Sequence, residues 1–200
     1  MRIFNVLLIK MTKNQEDEEE VEEECVKTIG NEIMYMGEVN RENALAFCVE
    51  FKKLEIELLK KSAELIGYTP EIRIHIMSPG GDIFAGMAIK NILEKSRLKV
   101  VTIAQGACCS AATFILLGGQ ERKMGANSYI LIHQISCELW GSFNDLKHEL
   151  KSTRKFMIML KRMYLSKTKI PEKLFKRLMK KDIYLSPHAC KKFQIVDSIE

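Results

Sequence analysis

No stretch of this 200-residue chain approaches the roughly 18 consecutive apolar residues of a membrane-spanning helix. Its start, MRIFNVLLIK, holds only a short apolar run and no small-residue cleavage pattern, which argues against a secretory signal peptide. The six cysteines, at positions 25, 48, 108, 109, 137 and 190, are too sparse for a disulfide scaffold and offer zinc no C-x-x-C pair. A reducing, cytoplasmic setting fits them best, and neither a metal nor a cofactor is expected. Aromatic residues make up 8% of the chain and form no stacking pattern beside its lysines, which disfavours nucleic-acid binding.

What is present suffices for one domain, because 46% of the residues are hydrophobic. The formal net charge of +5 hides a division. Residues 16 to 24, EDEEEVEEE, hold eight acids in nine positions, whereas residues 143 to 181 carry thirteen Lys or Arg against three Asp or Glu. The acidic run reads as a solvated segment that cannot build a core, and the basic stretch as the wet face of two helices. Clustered carboxylates repel one another and attract basic segments, so the acidic run is also read as an electrostatic gate or partner contact. Residues 1 to 30 are therefore set apart as an N-terminal arm and 31 to 200 as the domain.

Hydrophobic periodicity predicts a strand over residues 31–39 and a helix over 43–65 whose apolar face holds Leu45, Cys48, Val49, Phe51, Leu54, Ile56 and Leu59. EIRIHIM, 71–77, alternates as a strand and runs into SPGG, a tight turn, followed by an amphipathic helix over 83–95. Further strands are expected at 98–104, 128–133 and 193–199, with a buried helix at 110–117. Ser142 and Asp145 form a capping box for a long helix of up to about 25 residues with an interrupted apolar face, part of which is expected to leave the globular body. Pro171 suits the first turn of another helix. Strands alternating with helices imply a layered α/β domain with parallel pairing.

Ser110 sits among small residues in GACCSAA, 106–112; His133 closes a predicted strand; Asp182 comes late, near the end of a helix. A serine hydroxyl is a weak nucleophile near neutral pH unless a base takes its proton, and a carboxylate on the far side of the imidazole holds that base in the right tautomer. At a strand-to-helix turn the reactive oxygen is exposed and nearby amides can face an anion, the best placed being those of Gly81 and Ala111. From spacing alone the assignment stays open. Ser110 could equally be a helix cap, His133 a satisfied histidine and Asp182 a turn acceptor.

SPGGDIFAGMAI, GACCSAATFILLGG, NSYILIHQ and KKDIYLSPHACKKFQIVDSI, in this order, resemble the signature blocks of the Clp protease proteolytic subunit, a family of the crotonase-like superfamily. The resemblance covers about residues 31 to 200. It implies a crotonase-like α/β fold of repeated β-β-α units with a protruding handle helix, at about 134–168. It also implies Ser110 as nucleophile, His133 as general base, Asp182 as its orienting acid, and Gly81 and Ala111 as the oxyanion hole. The activity implied is that of a serine endopeptidase acting on unfolded polypeptides inside a tetradecamer of two stacked seven-membered rings, fed by a hexameric AAA+ unfoldase. Nothing in the chain resembles a phosphate-binding loop, so ATP would be bound by that partner.

Several departures mark the chain as a divergent member. The linker QERKMGANSYILI before His133 is about two residues shorter than the family pattern, and ISCELWG replaces a proline and glycine-rich turn after Gln134. Trp140 and Leu139 are read as ordinary packing residues or as ones that alter ring contacts or the substrate path; Cys108 and Cys109 are expected to act as small hydrophobes, with nucleophilic chemistry at Cys109 as the minor alternative. His75, His148 and His188 stay outside the catalytic set. The alternative to an active enzyme is a catalytically weak or inactive subunit of a mixed ring. An acyl-coenzyme A enzyme of the wider superfamily is a third class, although it needs no such Ser-His-Asp set.

Overall fold

The computed structural model describes residues 24–200, so residues 1–23, and with them all of the acidic run except Glu24, lie outside the described residues. In chain order the elements are β1 (Val26–Ile29), β2 (Glu32–Met36), α1 (Arg41–Glu64), β3 (Glu71–Ser78), α2 (Ile83–Glu94), β4 (Lys99–Cys109), α3 (Ala112–Gly118), β5 (Glu121–Met124), β6 (Tyr129–Leu131), α4 (Phe143–Lys167), α5 (Glu172–Leu178), β7 (Tyr184–Leu185), α6 (Pro187–Lys192) and β8 (Ser198–Ile199). One eight-stranded sheet runs in the order β1-β2-β3-β4-β5-β8, and β6 branches from β4 with β7 beside it. The β1–β2 and β6–β7 pairs are antiparallel and the others parallel.

Ile72, Ile74 and Ile76 occupy alternate positions of β3 and are fully buried, joined by Ile33 and Tyr35 of β2 and Val100 and Ala104 of β4. Against this face pack Phe47, Phe51 and Leu54 of α1, Ile89 and Leu93 of α2, and Ile115 and Leu116 of α3. Each such side chain stabilises the fold by about 1.5 to 3 kcal/mol relative to exposure, far more than helix propensity contributes per residue. The sheet face therefore decides how the helices lie. Mixed strands and helices in this arrangement make the expected α/β architecture, and no helix among the described residues is long and apolar enough to cross a membrane.

Some sequence expectations shift. The helix at 43–65 is present, but its buried stripe is Ala44, Phe47, Phe51, Leu54 and Leu58, while the expected Leu45, Val49 and Ile56 point to solvent. This helix carries two apolar stripes, and periodicity alone does not say which meets the sheet. β1 falls in the segment read as arm: Gly30, at φ 62, turns the chain back so that Val26 pairs with Tyr35. The strand expected at 193–199 survives only as β8, because Gln194 at φ 50 turns the chain after α6 and buries Ile195 and Val196 beneath it. The four-residue β5 and two-residue β7 were too short to carry a period.

The site depends on how β4 bends. Ile76 pairs with Ala104 but Ser78 with Cys108, so β4 carries extra residues around Gly106, whose φ of 59 accommodates the bulge. Before the bulge β4 pairs with β5; after it, Ala107–Cys109 pairs with β6 instead. The expected strand at 98–104 thus runs on to Cys109, and the helix expected from residue 110 starts at Ala112.

The long helix α4 spans 25 residues and begins in the expected capping box, with the Ser142 amide donating to Asp145 Oδ2 at 2.9 Å. None of its residues before Leu160 is buried, and only Leu160 and Tyr164 are. Its C-terminal end is tied to α2 and β5: Lys167 meets Glu94 at 2.6 Å and its carbonyl accepts from Arg122 at 2.7 Å. Trp140, just before it, is 98% exposed, so of the two readings ordinary packing within the chain is not met.

Glu55 is 4% exposed and ties α1 to the turn before β4. One carboxylate oxygen accepts from Ser96 Oγ at 2.9 Å and the Arg97 amide at 2.8 Å, while the other meets Lys52 at 2.7 Å. Burial pushes this carboxyl up, but the hydrogen bonds from Lys52, the Arg97 amide and Ser96 outweigh it, leaving the pKa below its ordinary value. Such a group stabilises the fold above its unfolded pKa, about 4.3, and the contribution disappears as the pH falls through the folded value. Glu55→Ala is expected to cost about 1 to 3 kcal/mol at pH 7 by stranding the Ser96 and Arg97 donors. In urea melts, the gap to the parent protein should narrow only below about pH 4; a gap that widens there would contradict the assignment.

Candidate active site

Where β4 and β6 end side by side, Cys109 pairs with Leu131 and the Ser110 amide donates to the Leu131 carbonyl at 2.8 Å. The chain then reverses in one residue. Ser110 has φ 53, and its carbonyl already accepts from the Thr113 amide at 3.0 Å, in the first turn of α3. A side-chain-bearing residue in this left-handed region costs of order 1 to 3 kcal/mol, and the cost is borne by the strand bond on one side and the helix on the other. The result is a sharp strand-to-helix turn with the half-buried Ser110 at its apex.

The SPGG turn lies against this apex because it is made of glycine. A Cβ at Gly80 would come within 2.6 Å of both Ser110 Cβ and the Cys109 carbonyl, and one at Gly81 within 2.2 Å of the Val39 carbonyl. Both glycines also have positive φ, 95 and 142. Gly81 forms a parallel bridge with Val39: the Val39 amide donates to Gly80 O at 2.8 Å and the Asp82 amide to Val39 O at 2.6 Å. In that pattern the Gly81 amide points away from Val39. Among the described residues, neither it nor the Ala111 amide has a hydrogen-bond acceptor.

Ser110, His133 and Gly81 line one cavity of about 260 Å³, walled by Ile83, Phe114, Leu160 and Tyr164. His133 comes two residues after the last β6 residue and is half-buried. Asp182 does not line the cavity and is exposed. It lies in the link between α5 and β7, past the helix end where it was expected. β6 and β7 pair Leu131 with Tyr184, where the ladder ends; extended by two residues, that register would face His133 with Asp182. Ser110 and His133 share the cavity at the end of the β4–β6 pair. Among the described residues no hydrogen bond joins the side chains of Ser110, His133 and Asp182 to one another.

The Clp protease family model matches residues 18–200. The chain belongs to the Clp protease family. Among its relatives, the ATP-dependent Clp protease proteolytic subunit of Deinococcus radiodurans is 32% identical over 131 residues, 64% of this chain and 64% of that relative's length. A mutant ClpP1 from Listeria monocytogenes superposes with a TM-score of 0.69 at 23% identity, covering 82% of this chain and 87% of the other. This second likeness concerns the fold, which is the crotonase-like one expected from the sequence.

Within this Clp family site the cysteines act as packing residues. Cys108 is fully buried and Cys109 is 5% exposed. Burial pushes both thiols up, Cys108 further through its neighbours Cys109 and Cys190, and Cys190 is pushed up to about 12. A thiol held in its neutral form is a poor nucleophile, so neither cysteine competes with the Ser110 hydroxyl at this turn. His75 is buried on β3 with its Nε2 3.2 Å from Glu32, while His148 and His188 are exposed. All three lie outside the cavity.

Two residues of the site were not foreseen. Thr113 Oγ1 donates to the Ser110 carbonyl at 2.6 Å and lies 2.5 Å from the hydroxyl of Tyr164, the last buried residue of α4. Burial raises the Tyr164 pKa, opposed by the Thr113 hydrogen bond, so the phenol stays protonated. The only sequence signal was that Tyr164 follows Leu160 by one helical turn. A partner 51 positions away leaves no trace in periodicity.

Proposed function

We propose that this chain is a serine endopeptidase that cleaves peptide bonds of unfolded polypeptides through an acyl-enzyme. The reading rests above all on Ser110: a residue held at φ 53 at a strand-to-helix apex, sharing one cavity with His133 and Gly81. In the proposed reaction His133 takes the Ser110 proton as the oxygen attacks the scissile carbonyl, and Asp182 steadies the imidazolium. The amides of Gly81 and Ala111, lacking other acceptors, receive the developing oxyanion. His133 then gives its proton to the leaving amine, the C–N bond breaks, and the C-terminal peptide departs. Water, deprotonated by His133, attacks the ester and releases the acid.

A cavity walled by Ile83, Phe114, Leu160 and Tyr164 fits an apolar side chain next to the scissile bond. The extended substrate would lie along the strand edge beside it. Family membership supports assembly into stacked seven-membered rings with Ser110 facing an enclosed chamber, a cytoplasmic setting, and delivery of substrate by a hexameric ATP-dependent unfoldase. In that assembly α4 is read as the handle.

A second reading, a structural or regulatory subunit of a mixed ring, is favoured by one observation: no hydrogen bond joins the three catalytic side chains. Such bonds often tighten only when substrate is engaged. A serine-directed fluorophosphonate separates the two readings, since it loses fluoride to an activated serine oxygen and stays bound. The expected result by intact mass and peptide mapping is one adduct, on Ser110, absent from Ser110→Ala. A chain that stays unlabelled under all assembly conditions supports the structural reading, and an adduct elsewhere overturns the assignment of the nucleophile.

A further inference from the structure

Resting on the hydrolase reading above, we infer that Tyr164 is a positioning residue for the oxyanion-binding amide of Ala111, acting through Thr113. Thr113 Oγ1 carries a single hydrogen, which goes to the Ser110 carbonyl at 2.6 Å. The 2.5 Å contact with Tyr164 is therefore donated by the tyrosine. The order is fixed: Tyr164 Oη–H to Thr113 Oγ1, then Thr113 Oγ1–H to Ser110 O. Each bond in such a chain polarises the next.

The carbonyl at the end of this chain belongs to the same peptide unit as the Ala111 amide. That unit is planar and trans, so its C=O and N–H point in opposite directions, and fixing one aims the other. The Ser110 carbonyl accepts from the Thr113 amide at 3.0 Å and from Thr113 Oγ1. Two donors from one residue clamp the plane in a way that either alone would not. The Ala111 amide at its far end is left pointing without an acceptor, as a donor reserved for a reacting oxygen must be.

A Thr hydroxyl that bonds back to a carbonyl three residues earlier is an ordinary local motif. The distant partner is not. Tyr164 is 2% exposed, and its ring is wedged edge-on against Phe114 of α3, with centroids 6.2 Å apart, and tilted on Phe175 of α5 at 5.8 Å. Three helices thus fix where its hydroxyl stands. Tyr164 also belongs to the only buried stretch of α4, so any displacement of that helix end is delivered to the Ser110 peptide.

Interactions that aim an oxyanion donor act on the transition state and appear in kcat, whereas a wall of the substrate cavity acts mainly on KM. Loss of one complete donor costs about 100-fold or more in kcat; a misaimed donor, as in Tyr164→Phe and Thr113→Val, is expected to lose about 10-fold, with KM within about twofold. Thr113→Ser, which keeps the hydroxyl, is expected to restore kcat. The pair also separates positioning from stability. Thr113→Val alone strands the buried Tyr164 hydroxyl and should lower Tm, and adding Tyr164→Phe removes the stranded group and should recover Tm. kcat should stay low in that double variant.

The experiment measures kcat and KM on a fluorogenic peptide amide with an apolar residue before the scissile bond, Tm, and hydrogen exchange of the 110–118 amides, in the full chain and these four variants. Low kcat with recovered Tm in the double variant, and faster exchange at the residue 113 amide in Tyr164→Phe and Thr113→Val, support the inference. A kcat that follows Tm, or a change confined to KM, overturns it. If the parent chain neither hydrolyses nor reacts with fluorophosphonate, the hydrolase reading fails, and exchange still decides whether Tyr164 holds the turn: unchanged protection in Tyr164→Phe overturns the inference on its own.

Discussion

Ser110→Ala is expected to lower kcat for peptide hydrolysis by a factor of at least about 10⁴ while leaving the fold and any assembly intact. Alanine keeps the Cβ that meets the SPGG turn, and the bonds that hold the apex all use the Ser110 backbone: its amide donates to Leu131 O, and its carbonyl accepts from the Thr113 amide and Oγ1. Only the reacting oxygen is lost. Ser110→Gly is expected to be as inactive yet more stable than Ser110→Ala by about 1 kcal/mol, because only glycine occupies φ 53 freely. Steady-state kinetics with thermal melts on the three proteins check both parts. Residual activity in Ser110→Ala above a few per cent of the parent would mean that another group performs the attack. A Ser110→Gly variant less stable than Ser110→Ala would mean that the apex is not strained.

This site is built from a defect in a regular element. Without the bulge at Gly106, β4 would keep β5 as its neighbour to the end. With it, the last three residues turn to β6 and bring Cys109 beside Leu131. Ser110 and His133 are neighbours because both follow strands that end together. Asp182 precedes β7, which runs antiparallel to β6, so a register extended two residues past the last pair would face it with His133. Ser110 and His133 thus owe their common cavity to three ladder pairs between β4 and β6.

What could be read in advance followed from local chemistry. EIRIHIM alternates on a period of two, Ser142 and Asp145 cap a helix, and SPGG can only be a turn, so β3, α4 and the glycine wall were legible. β6 was legible too, inside the strand expected at 128–133. The two-residue β7 was not: it is too short for any period and exists because it pairs with β6. For the same reason spacing left the role of Asp182 open, and only the resemblance to a family motif assigned it one. On α1 the failure was different: Leu45, Val49 and Ile56 follow helical spacing as well as Phe47, Phe51 and Leu54 do, and only the sheet beneath distinguishes them. The Thr113–Tyr164 bond was invisible because a hydroxyl's partner is chosen by tertiary packing.

Asp182→Asn provides the second large effect. An asparagine in this role holds the imidazole in the wrong tautomer and offers no charge to the imidazolium, which in triads of this kind lowers kcat by about 10⁴. Asp182 is exposed, so the same substitution should alter stability by no more than about 0.5 kcal/mol. KM is expected to change little, because the side chain does not line the cavity. That combination separates an orienting acid from a turn residue: a turn acceptor would show lost stability with kcat preserved. The fluorophosphonate rate should fall alongside kcat, since phosphonylation needs the same proton transfer to His133. A kcat within about threefold of the parent would be under 1 kcal/mol of transition-state energy, too little for a member of the triad. In that case Asp182 would belong to the link before β7 alone, and another carboxylate, or none, would serve His133.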